Sequence, residues 1–66
     1  MITRDAAVWT VRYRCVYRDH WYDDSDWQDL GSAVQRAQQI QQEEPRRAVV
    51  ILSPDWRVVW FRDRLA

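Results

Sequence analysis

The stretch Val8-Trp9-Thr10-Val11-Arg12-Tyr13-Arg14-Cys15-Val16-Tyr17-Arg18 decides the fold class. Its odd positions, Trp9, Val11, Tyr13, Cys15 and Tyr17, are apolar or aromatic. Its even positions set Thr10, Arg12, Arg14 and Arg18 beside Val8 and Val16. Successive side chains of an extended chain point to opposite faces, so this period of two predicts a strand over 8–18 with one buried face. Strands of that pattern belong to antiparallel sheets with one side open to solvent.

Further along the chain, Leu30, Ala33, Val34, Ala37 and Ile40 recur at helical spacing. Asp29 stands where an N-cap would, and the helix should run to Glu43 or Glu44, because Pro45 forces the residue before it out of the α region. Its outer face is rich in glutamine: Gln35, Gln38, Gln39, Gln41 and Gln42. Residues 47–53 are a strongly apolar strand, Pro54-Asp55 a turn, and residues 57–62 the return strand. Between the first strand and the helix, Asp19-His20 suits a turn, and residues 21–24 form either a short second strand or a structured loop. The whole chain, 1–66, therefore reads as a single α+β domain. It has one antiparallel sheet of three to four strands with a helix on one face, in the order β-(β)-α-β-β. The expected core sets Trp9, Val11, Tyr13 and Cys15 against Leu30, Val34, Ala37 and Ile40. In the terminal hairpin, pairing Ser53 with Arg57 places Val49, Ile51, Val59 and Phe61 on one side and Val50, Leu52, Val58 and Trp60 on the other. The helix can cover only one of these sets.

Composition narrows the function classes. A chain of 66 residues buries only about 60% of the surface its unfolded form exposes. A single cysteine, Cys15, allows no intrachain disulfide, and no Cys/His cluster offers a zinc site. Stability must then come from aromatic packing, from a second subunit, or from both. Five Trp, three Tyr and one Phe supply the first, each large ring burying roughly 150–250 Å². The start, Met-Ile-Thr-Arg-Asp, has no apolar signal-peptide region, and no apolar run approaches the roughly 20 residues of a membrane helix, so the expected location is cytoplasmic. The only glycine, Gly31, leaves no phosphate-binding loop. His20 has no nucleophile near it in sequence, and Cys15 lies on the inward face of its strand, so no catalytic residue is expected. No cofactor is expected either. The run Asp24-Ser25-Asp26-Trp27-Gln28-Asp29 begins like a calcium loop but lacks its glycine and its closing glutamate, so no metal is expected.

Net charge is zero, and every cation is Arg. The signs nonetheless separate along the chain: Arg4, Arg12, Arg14 and Arg18 precede the acidic segment Asp19, Asp23, Asp24, Asp26 and Asp29. Asp19, Asp23, Asp24 and Asp26 are thus a candidate acidic strip for a partner that normally holds phosphates. Trp21, Trp56 and Trp60 are candidate aromatic contacts, since Trp is enriched in binding hot spots. Trp56 stands where a Pro-Asp turn commonly has a left-handed glycine, a genuine outlier for a bulky residue, so either the loop has another geometry, or Trp56 projects from the hairpin tip or folds back over the hairpin. Arg12, Arg14 and Arg18 are an alternative face for single-stranded nucleic acid.

The layout of the strand at 8–18, the helix opening Asp29-Leu30-Gly31-Ser32-Ala33 and the hairpin from Val49 to Phe61 resembles that of very small phage and mobile-element proteins. The anti-CRISPR inhibitors of multi-subunit effector complexes are the notable case. That resemblance implies a non-enzymatic inhibitor that contacts a nucleic-acid-binding effector subunit, with Asp19, Asp23, Asp24 and Asp26 as the surface to suspect. Two other expectations stand beside it: a small nucleic-acid binder using the Arg face, and a homodimeric accessory protein joined through its open sheet face.

Overall fold

The computed structural model describes residues 7–15, 17 and 19–62. Four strands and one helix follow one another as β1 (Trp9–Arg14), β2 (Trp21–Trp27), α1 (Leu30–Glu43), β3 (Val49–Leu52) and β4 (Val58–Arg62). All strand pairs are antiparallel, and the sheet order is β2-β1-β3-β4. The α+β reading with the order β-β-α-β-β is therefore the observed fold, and the segment left open between strand and loop is the seven-residue strand β2.

Alternation places Trp9, Val11 and Tyr13 of β1 on the side facing α1, with Val49 and Ile51 of β3 beside them. Val11, Ala33, Ala37, Ile40, Val49 and Ile51 form the buried cluster, and Trp9, Tyr13, Trp27, Val34 and Trp60 pack around it. Two alanines on the helix let its backbone approach the sheet closely, so the aromatic rings fill the periphery rather than the centre. Tyr13 and Tyr22 stack with ring centroids 5.7 Å apart. The Arg47 guanidinium lies over the Tyr13 ring, 4.9 Å from its centroid.

The helix ends as its sequence dictates. The Asp29 carboxylate accepts from the Ser32 backbone N–H at 2.8 Å and from the Ser32 hydroxyl at 2.8 Å. At the other end Glu44 takes an extended backbone ahead of Pro45.

Several details depart from the periodicity. The first strand stops at Arg14, and Tyr17, expected on the buried face, is 86% exposed in the connection to β2. Val16 and Arg18 lie outside the described residues. Leu30, expected in the core, sits in the first helical turn and is 38% exposed. The largest correction concerns the terminal hairpin. Its register begins as expected, with Leu52 opposite Val58, but slips by one so that Ile51 opposes Trp60 and Val50 opposes Phe61. Val59 is the extra residue of this β-bulge. Because side chains alternate with a period of two, a slip of one exchanges faces. Trp60 turns to the helix side and Phe61 to the open side, the reverse of the unbulged pairing.

Candidate functional site

The open face of the sheet divides into two halves. On β1 and β2 it is a ladder of polar pairs. Arg12 forms an ion pair with Asp23, directly opposite in the register. Arg14 pairs with Asp19 just beyond the strand end, and the Thr10 hydroxyl donates to Asp26 at 2.7 Å. Over Arg12, Arg14, Asp19 and Asp23 the acidic strip and the Arg face are therefore the two sides of one cross-strand ladder, each neutralising the other. Trp21 stands at the end of this half, opposite Arg14.

Asp24 belongs elsewhere. The β1–β2 register slips between Val11 and Arg12, and Asp24 is the extra residue of that bulge. The bulge turns its carboxylate toward the helix, where Arg36 grips it with two bonds, Nε at 2.8 Å and an η-nitrogen at 3.0 Å. The Ser25 hydroxyl donates to the same carboxylate at 2.8 Å, and the Trp27 indole N–H donates to the Ser25 hydroxyl at 2.7 Å. The Arg36 bonds hold the Asp24 carboxyl below the usual carboxylate range against partial burial, and the Ser25 bond adds to the effect. The four aspartates of the sequence-predicted strip thus do not share one surface: three lie on or beside the open face, and Asp24 ties β2 to α1.

The other half of the open face, over β3 and β4, is apolar. Val50 and Leu52 are buried, while Val58 and Phe61 are exposed. Trp56 rises at its margin. The turn Ser53-Pro54-Asp55-Trp56-Arg57 is closed by the Trp56 N–H donating to the Ser53 carbonyl at 2.9 Å and the Ser53 N–H to the Arg57 carbonyl at 2.8 Å. The Ser53 side chain reinforces it, donating to Asp55 and accepting from the Arg57 N–H. These bonds hold the Asp55 carboxyl low, chiefly through Ser53. This three-residue loop needs a left-handed residue at its last position, and that residue is Trp56, with φ 66°. For a residue with a Cβ this conformation costs about 1–2 kcal/mol. The Trp56 side chain leans back toward β1, so that the Arg12 guanidinium lies 5.9 Å from the ring centroid, yet the residue stays 55% exposed. It both projects from the tip and folds back.

Trp60 does not join this surface. It lies on the helix side, packed against the core, with the Arg62 guanidinium 5.4 Å from its ring centroid. Beside it, Gln38, Gln41, Gln42, Pro45 and Arg62 line an open depression of 490 Å³. Its amides and single guanidinium offer hydrogen bonds but no paired acid and base.

One juxtaposition escapes sequence spacing. The Cys15 N–H donates to the His20 carbonyl at 3.1 Å, making the only thiol and the only imidazole cross-strand neighbours. The His20 ring packs edge-on against Tyr22 at 4.7 Å. The signal was present as two residues flanking one short connection. Among the described residues no group of three or more His, Cys, Asp or Glu side chains converges on a metal position, and no helix is long and apolar enough to cross a membrane.

Comparison with protein-family models, curated proteins and solved structures found no match. The case for function therefore rests on this chain's own surfaces.

Proposed function

We propose that this chain is a non-enzymatic protein-binding module, an inhibitor or adaptor, that docks its partner on the apolar half of the open sheet face with Trp56 as anchor. One observation carries the reading: a half-exposed Trp occupies a left-handed turn position that glycine fills without strain, in the turn that leads into β4, whose Val58 and Phe61 are exposed. Backbone strain of this kind collects at functional sites. A large aromatic held by a rigid turn beside an apolar floor has the form of an interface hot spot.

The polar half of the face supports an apolar mode of docking. With Arg12 on Asp23 and Arg14 on Asp19, the described arginines of this face and two of its aspartates are spent on each other. A partner gains little by long-range charge and most by covering apolar surface. Obstruction of a nucleic-acid-binding effector, the activity implied by the resemblance to anti-CRISPR proteins, would on this reading proceed by occupying a protein surface of the effector rather than by imitating DNA.

The test is affinity capture from nuclease-treated lysate of the cell that makes the protein, with wild type, Trp56→Gly and Asp23→Asn run in parallel. Stoichiometric capture of one protein by wild type and Asp23→Asn, lost in folded Trp56→Gly, is the expected result. Equal capture by folded Trp56→Gly, or capture that vanishes with nuclease, would overturn the proposal.

A further inference from the structure

Trp56 starts from a turn whose hydrogen bonds run through its backbone N–H and through Ser53, Asp55 and Arg57. Those bonds, with a φ of 66°, fix where its Cβ points. They leave the two side-chain torsions to be set by what the indole touches. A half-exposed ring that must be ordered at the moment of binding makes a weak anchor, because that ordering costs affinity.

One of those contacts comes from a different strand. Arg12 of β1 opposes Val50 of β3, and its guanidinium lies over the Trp56 ring, 5.9 Å from the centroid, within the roughly 6 Å reach of a cation–π contact. The row between Arg12 and the turn is Thr10 opposite Leu52. Both are buried although α1 lies on the other face, so that row is a packed floor. Arg12 is itself fixed, its Nε donating to Asp23. A planar guanidinium gives its edge to a carboxylate and its face to a ring at the same time. An amide oxygen at position 23 accepts the same bond, so Asp23→Asn leaves the arrangement in place.

We propose that Arg12 is the positioning residue of the docking site. It acts through Trp56, holding the indole at the margin of the apolar half in the pose that a partner meets. This role rests on the docking reading and names the residue that orders the anchor before binding. It also gives the polar half of the face a part in apolar docking, since the cation that aims the anchor belongs to the polar ladder. Charge is what the ring answers to. A side chain of similar length without the charge can still lay an apolar stem along the sheet, but it lacks the attraction of a cation for the negative face of an indole.

Proton–nitrogen correlation spectra of the pure, full chain test it first. The Trp56 indole N–H is assigned by its loss in Trp56→Phe. In Arg12→Met that resonance should move toward the position of a solvated indole and its heteronuclear NOE should fall, while those of Trp9, Trp21, Trp27 and Trp60 stay in place. Arg12→Gln should repeat the effect, and Arg12→Lys, which keeps a cation, should reverse most of it. Affinity capture from nuclease-treated lysate at limiting bait follows. Recovery of the protein captured by wild type should drop about two- to fivefold in Arg12→Met, the size of one exposed cation–π contact, and return in Arg12→Lys. A Trp56 resonance unmoved in folded Arg12→Met and Arg12→Gln would overturn the proposal and leave the docking reading standing. So would a loosened ring with undiminished capture, or equal losses in Arg12→Met and Arg12→Lys. Wild type that captures nothing would overturn the docking reading and this inference with it.

Discussion

Replacing Asp24 by Asn should destabilise this domain far more than the same change at its neighbour Asp23. Both are aspartates on β2, one residue apart, and both bind an arginine. Asp23 and Arg12 meet on the open face with side chains 61% and 36% exposed, a setting in which an ion pair contributes about 0–1 kcal/mol. Asp24 is 15% exposed and Arg36 31%. Their bidentate contact joins a strand to the helix, with Ser25 and Trp27 continuing the chain of bonds. A hydrogen bond to a charged group is worth about 1.5–3 kcal/mol. Solvent screening of the guanidinium, about a third exposed, lowers that figure and loss of the second bond raises it, which leaves about 2 kcal/mol. At roughly 0.05–0.15 kcal/mol per residue, a domain of this size has only about 3–10 kcal/mol in total. A loss of 1 kcal/mol moves the midpoint of so small a domain by about 4–8 °C, so Asp24→Asn should lower Tm by about 8–16 °C and Asp23→Asn by at most about half as much. Thermal unfolding followed by far-ultraviolet circular dichroism reads both. Equal shifts for the two variants would refute the assignment of Asp24 to the helix side and the bulge that puts it there.

Three further outcomes follow from the same structure. Acid should unfold the domain through Asp24 and Asp29. Arg36 lowers the first and the Ser32 N–H and hydroxyl lower the second. Their stabilisation is complete above the ordinary value of 3.8 and is lost as pH falls through the depressed folded values, so a pH titration of stability should show this acid limb and Asp24→Asn should flatten it. Asp29→Ala should lower Tm by a few degrees while Asp29→Ser restores most of it, since either Asp or Ser can cap the helix. At position 56, Gly should be more stable than Ala by about 1 kcal/mol in urea titrations, the reverse of the order at ordinary strand or helix positions. Ala more stable than Gly would mean that the turn is not left-handed there.

What could be read from the sequence was whatever follows period alone. The alternation at Trp9, Val11 and Tyr13, the Asp29 cap, the stop before Pro45 and the Pro54-Asp55 turn each have one local cause, and each stands in the structure. What could not be read was the placement of two single-residue bulges, because a bulge is a property of a pair of strands. The bulge at Asp24 removes one carboxylate from the acidic strip and gives it to the helix. The one at Val59 exchanges Trp60 for Phe61 on the open face. The neutralisation of Arg12 and Arg14 by Asp23 and Asp19 was in principle visible, since folding the chain back on itself sets these signs opposite each other. Reading the two charge runs separately hid it. Trp56 is the most informative residue, because a bulky side chain at a glycine position is an anomaly in the sequence and in the structure alike.

The central claim, that a partner protein covers the apolar half of the open face, is tested most directly by site-specific photo-cross-linking in the cell of origin. A photoreactive aromatic replaces Trp56 in one variant and Gln35, on the exposed outer face of the helix, in another. The account predicts one discrete adduct from position 56, to a protein other than this chain, and none from position 35. An adduct from position 35 with none from position 56 would contradict it.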